Sequence, residues 1–91
     1  MSTPAHNIRI IIGKKLRHWR ETRGMSQKRL ADLANMSQPE IARFETGERK
    51  ISVDHAIKLA PLLGIRPVDL LPQQVMNGPQ REIETDKGPQ S

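Results

Sequence analysis

Between Asn7 and Arg23 the apolar residues Ile8, Ile12, Leu16 and Trp19 recur at spacings of four, four and three, while Lys14, Lys15, Arg17, Arg20 and Arg23 occupy other faces. An α-helix brings residues three and four apart onto one side, so the stretch predicts an amphipathic helix ended by Gly24. Ser26 can cap a second, short helix over Gln27 to Ala34, with Leu30, Leu33 and Ala34 as its apolar stripe. Asn35 breaks it, because asparagine tolerates left-handed backbone almost as readily as glycine. Ser37-Gln38-Pro39-Glu40 has the spacing of a capping box, with a proline in the first turn where its missing N–H costs least. A third helix therefore runs from Gln38 to about Thr46, with Ile41 and Phe44 inward and Gly47 as its stop. Ser52 can cap a fourth, carrying Val53, Ala56, Leu59, Ala60 and Leu63 and closed by Gly64; Pro67 then opens a last short turn, Val68 to Leu71.

These elements predict an all-α, compact five-helix bundle. One Trp, one Phe and no Tyr leave the core to Leu, Ile, Val, Ala and Met, a set that suits packed helices better than a β-sandwich. Ninety-one residues make a single domain. We place it at 7–71, between a flexible N-terminus (1–6) and a disordered tail (72–91) rich in Pro, Gln, Gly and charge. The longest apolar run, Ile10 to Ile12, is far short of a membrane span, nothing reads as a signal peptide, and no cysteine calls for an oxidising compartment. A soluble, cytoplasmic protein is expected.

Charge narrows the choice of partner. Up to Leu71 there are thirteen Lys and Arg against seven Asp and Glu, a net +6, whereas the remainder carries a net −1. The excess positive charge belongs to the folded part, as a phosphate-coated partner requires. Two short helices joined only by Asn35-Met36-Ser37 must sit close together, the geometry of a helix-turn-helix over about 27–46. Such closeness needs a small residue where they cross, which Ala31 supplies, and apolar contacts to the core, which Leu30, Ala34, Met36, Ile41 and Phe44 supply.

Over residues 8 to 71 the chain resembles the Cro and phage-repressor type (Xre-like) helix-turn-helix family. The matching residues are Leu16, Arg17, Arg20, Gly24, Met25-Ser26-Gln27, Leu30-Ala31, Ser37, Ile41, Phe44-Glu45 and Gly47, then Leu59, Ala60, Leu63-Gly64 and Asp69-Leu70-Leu71. Asn35 departs from the usual turn glycine, and Pro39 is unusual near the start of a recognition helix. The resemblance implies a transcription regulator of double-stranded DNA, a repressor acting as a homodimer on an inverted repeat. It also implies DNA contacts from Gln27 and Gln38, at the first position of their helices, and a pair, Arg20 and Glu45, that ties helix 1 to the end of helix 3.

Residue chemistry divides the expected contacts. Gln27, at the positive end of its helix, is expected on a backbone phosphate, and Gln38 on a base edge, where its amide suits adenine. Pro39 offers only apolar contact, for instance to a thymine methyl, and exposed Arg43 suits a guanine or a phosphate. Arg49 and Lys50, in the loop after Gly47, together with Lys28 and Arg29, are expected on the backbone. Glu40 repels phosphate and is assigned to the capping box.

No cofactor, metal site or catalytic set is expected. His6, His18 and His55 lie apart, without ligand spacing, and a lone Trp19 at helical spacing is a packing residue. An alternative is a DNA-binding antitoxin or interaction module whose tail, 72–91, folds against a partner protein. A homodimer surface is expected around helices 4 and 5, including Val68 and Leu71 unless those two close the core.

Overall fold

The computed structural model describes residues 5–71, with side chains from Ile8 onward. The expected tail, 72–91, and with it any partner-protein segment there, lies outside the described residues, as do residues 1–4 of the N-terminal segment. Five α-helices follow one another: α1 (Ala5–Thr22), α2 (Gln27–Ala34), α3 (Gln38–Thr46), α4 (Val53–Leu59) and α5 (Pro67–Leu70). No strand occurs among the described residues. Helix α1 begins two residues before the expected Asn7.

The boundaries are set by local chemistry. Ser26 and Ser37 each accept a hydrogen bond from the backbone N–H three residues on, which satisfies a donor that the first turn leaves unpaired. At the end of α2, Asn35 adopts φ 57°, ψ 45°; its N–H donates to the Asp32 carbonyl while that of Met36 donates to Ala31. This is a Schellman closure made with asparagine in the left-handed position, and it turns the chain in three residues.

The fourth helix is shorter than expected. Pro61 has no N–H to continue the ladder, so α4 stops at Leu59 and Pro61–Leu63 form a separate 3-10 turn before Gly64. The Arg23 side chain crosses from the end of α1 to donate through Nε to the Leu63 carbonyl at 2.7 Å, which anchors that turn.

All five helices enclose one core. Ile12, Leu16, Leu30, Ile41, Phe44, Leu59, Leu63, Leu70 and Leu71 are at most 4% exposed, and the small Ala31 and Ala34 are buried where α2 meets α3. One expectation is corrected. Leu33 is 41% exposed, because a helix as short as α2 buries only the narrow stripe of Leu30, Ala31 and Ala34, and Leu33 falls beside it. Leu71 closes the core and is absent from the surface.

Helices α1 and α3 approach closely at Gly13. A Cβ placed there would lie 2.3 Å from the Phe44 carbonyl oxygen and 2.6 Å from that of Glu45, so only glycine permits this contact. The hydrophobic periodicity runs through Gly13 without revealing that role.

Candidate nucleic-acid interface

Helix α3 carries the candidate surface because its other side is committed to the core. Ile41, Phe44 and Glu45 are buried, which leaves Gln38, Pro39 and Arg43 exposed. Ser37 and Glu40 complete the capping box: the Ser37 N–H donates to Glu40 Oε1 at 2.9 Å and the Glu40 N–H to Ser37 Oγ at 3.3 Å. These bonds to Ser37, with Arg49 adding to them, hold the Glu40 carboxyl below its ordinary pKa.

The loop after α3 folds back on the helix. The Arg49 N–H donates to the Arg43 carbonyl, its guanidinium lies 5.4 Å from the Phe44 ring centroid, and Nη1 sits 3.1 Å from Glu40 Oε2. Arg49, expected as a backbone clamp, thus also pairs with Glu40 while its side chain stays 43% accessible. Lys28 pairs with Asp32 at 3.3 Å one turn along α2, in an exposed bridge that contributes little stability. Among the described residues the Arg43 and Lys50 side chains have no hydrogen-bond or ionic partner.

Behind this surface lies a connected polar network. Arg20 reaches from α1 to Glu45 with a forked contact, Nε to Oε2 at 2.6 Å and Nη2 to Oε1 at 3.0 Å, and its Nη1 donates to the Met25 carbonyl at 2.6 Å. Both side chains are nearly enclosed, 10% and 4% accessible. The Glu45 hydrogen bond raises the Arg20 pKa above its ordinary value, although burial alone lowers it. Half-buried Gln27 donates from Nε2 to Glu45 Oε1 at 3.0 Å, and exposed Gln38 donates from Nε2 to Gln27 Oε1 at 2.6 Å.

The structure thus brings together Arg20, Glu45, Gln27 and Gln38 in one chain of hydrogen bonds, and places Pro39 and Arg43 beside its outer end on α3. Lys28 follows Gln27 on α2, and Arg49 and Lys50 lie in the loop after α3. Sequence spacing offered no sign that Gln27 and Gln38 touch, since the pair is 11 residues apart on different helices.

From the buried ion pair the hydrogen bonds thus continue through two amides, at the starts of α2 and α3, to exposed Gln38. Among the described residues, no group of three or more His, Cys, Asp or Glu could hold a metal ion, and no helix is long and apolar enough to cross a membrane. The helix-turn-helix family model matches residues 16–70. This chain belongs to the Cro and phage-repressor type helix-turn-helix family. Like the family, it is a DNA-binding transcription regulator by fold and sequence.

Its relatives include the control protein C.BamHI of Bacillus amyloliquefaciens, 37% identical over 67 residues, which are 72% of this chain and 83% of that one. An uncharacterized HTH-type transcriptional regulator of Haemophilus influenzae is 35% identical over 71 residues, 78% of this chain and 71% of that one. Among solved structures, the restriction-modification controller protein C.AhdI of Aeromonas hydrophila superimposes with a TM-score of 0.71 at 30% identity, covering 76% of this chain and 100% of that one.

Proposed function

We propose that this family member is a sequence-specific repressor that binds an inverted repeat in double-stranded DNA as a homodimer, in the cytoplasm. Each protomer lays α3 in a major groove, and the two grooves are about one helical turn apart, near 34 Å. Gln38 reads a base edge, Pro39 and Arg43 read or flank its neighbours, and Gln27, Lys28, Arg49 and Lys50 hold the backbone on either side.

The observation that carries this reading is the outer face of α3. Gln38, Pro39 and Arg43 stand exposed on a helix whose other side is locked in the core, and Lys50, without an ionic partner among the described residues, follows in the next loop. Likeness to C.BamHI and C.AhdI supports a controller whose occupancy of an operator sets transcription. A homodimer is supported by Ile57 and Val68, 53% and 42% exposed on α4 and α5, two helices that pack together. One recognition helix also offers modest contact area, and specific affinity usually needs two half-sites.

Selection of bound duplexes from a random pool at near-physiological salt tests the proposal. Enrichment of an inverted repeat is expected; weak, salt-sensitive binding without enrichment refutes it. On the selected site, Gln38→Ala relaxes preference at one base position by about 1–3 kcal/mol. Lys50→Ala weakens binding to every sequence and lowers the salt slope by about one. Uniform weakening by both variants would remove base reading from Gln38.

A further inference from the structure

A glutamine amide has nearly the same shape with its oxygen and nitrogen exchanged, so sterics alone do not decide which way it faces. For base reading the direction is everything. Adenine presents an acceptor at N7 beside a donor at N6 in the major groove, and a glutamine matches that edge only with nitrogen and oxygen on the correct sides. A contact within the protein that selects the orientation before DNA arrives removes that ambiguity.

We propose that Glu45 is a positioning residue for base recognition: held by Arg20, its carboxylate fixes the direction of the Gln27 amide and, through it, that of Gln38. This rests on the reading of Gln38 as the base-contacting residue and explains what enforces its choice of base. The hydrogen bonds run one way. The Glu45 carboxylate, gripped on both oxygens by the guanidinium, only accepts, so the Gln27 group facing it must be the NH2, at 3.0 Å. The Gln27 oxygen then lies on the other side, where only a donor fits, and Gln38 supplies its Nε2 at 2.6 Å.

Gln38 is left with one outward N–H and a carbonyl oxygen that accepts nothing among the described residues, the complement of an adenine edge. Flipping either amide would set oxygen against oxygen. The ion pair that directs this sequence is almost fully enclosed, so water competes poorly for the same groups.

The test measures equilibrium binding of the full chain to the selected operator and to the three duplexes changed at the base that Gln38→Met identifies. Wild type prefers its base by about 5- to 150-fold. Gln27→Met, similar in length and unable to pass on direction, leaves the Arg20–Glu45 pair untouched. It is expected to reduce that preference to within about threefold of none, and the double variant with Gln38→Met to lose no more than Gln38→Met alone.

Glu45→Gln tests the source of the direction, and because it leaves buried Arg20 with only the Glu21 carboxylate, 3.9 Å away, as countercharge, its fold is checked first by circular dichroism. If folded, it too is expected to lose preference at that one base; if it unfolds, Gln27→Met decides. Should Gln27→Met weaken all four duplexes equally and keep the preference, Gln27 is a phosphate ligand only and the positioning role is overturned while base reading by Gln38 stands. A folded Glu45→Gln that keeps the full preference overturns it equally. If Gln38→Met itself leaves the preference intact, base reading by Gln38 fails, and the positioning role with it.

Discussion

At the residue scale, one glycine shows how contact reverses a local preference. Glycine inside a helix ordinarily costs about 0.5–1 kcal/mol relative to alanine, so Gly13→Ala in an open helix would stabilise. Here the added methyl meets two backbone carbonyl oxygens of α3, at 2.3 and 2.6 Å, and backbone cannot rotate aside as a side chain can. The sign therefore inverts: Gly13→Ala is expected to destabilise by about 1–3 kcal/mol or more. For a domain of this size that lowers Tm by about 4–8 °C per kcal/mol, readable by thermal denaturation, and an unchanged or higher Tm would refute the close approach. Nothing in the sequence announced this, because the partners Phe44 and Glu45 lie on another helix. Arg23 is a parallel case: it sits on the polar side of the α1 pattern, yet its partner is the Leu63 carbonyl, 40 residues away.

At the scale of elements, much was legible because helix ends depend on residues three or four apart. Ser26, Ser37 and Ser52 cap as expected, and Asn35 makes the left-handed stop. Where the reading erred, a second influence entered: Pro61 divided the fourth helix, and tertiary packing rather than periodicity decided that Leu33 faces outward. The capping box of α3 also yields a pH dependence. Bonds to Ser37 and Arg49 hold the native Glu40 pKa below its ordinary value, so the unfolded chain takes up this proton first as pH falls. Its stabilisation is complete above about pH 5 and is lost as pH drops through the depressed native value. Glu40→Gln keeps a side chain that can accept the Ser37 N–H but removes the charge. Denaturant melts at pH 7 should show wild type more stable than Glu40→Gln, with the gap closing towards pH 3. A gap that is constant or widens in acid would mean that the charge contributes nothing to the cap.

At the scale of the whole molecule, what the sequence conveyed was which residues of α3 face outward; what it withheld was how they are wired to the rest of the fold. Gln38, Pro39 and Arg43 were legible as outward residues because Ile41 and Phe44 fix the inward phase of α3, whereas the Gln27–Gln38 contact exists only once α2 and α3 are folded together. The proposed homodimer rests on exposed apolar side chains. Ile57 and Val68 are unremarkable singly, but both are exposed, on helices α4 and α5 that pack together, and they are the side chains proposed for the homodimer contact. Ile57→Asp would place a charge in that contact and leave the core intact, since Ile57 is already 53% exposed in the protomer. Sedimentation velocity should then show a folded monomer where wild type sediments as a dimer. Protection of the inverted repeat should vanish at protein concentrations that saturate with wild type, because each half-site must then be bound alone. If Ile57→Asp remains a dimer with undiminished operator affinity, the partner surface lies elsewhere, and exposed Ile11 on α1 and Leu33 on α2 become the next apolar residues to change.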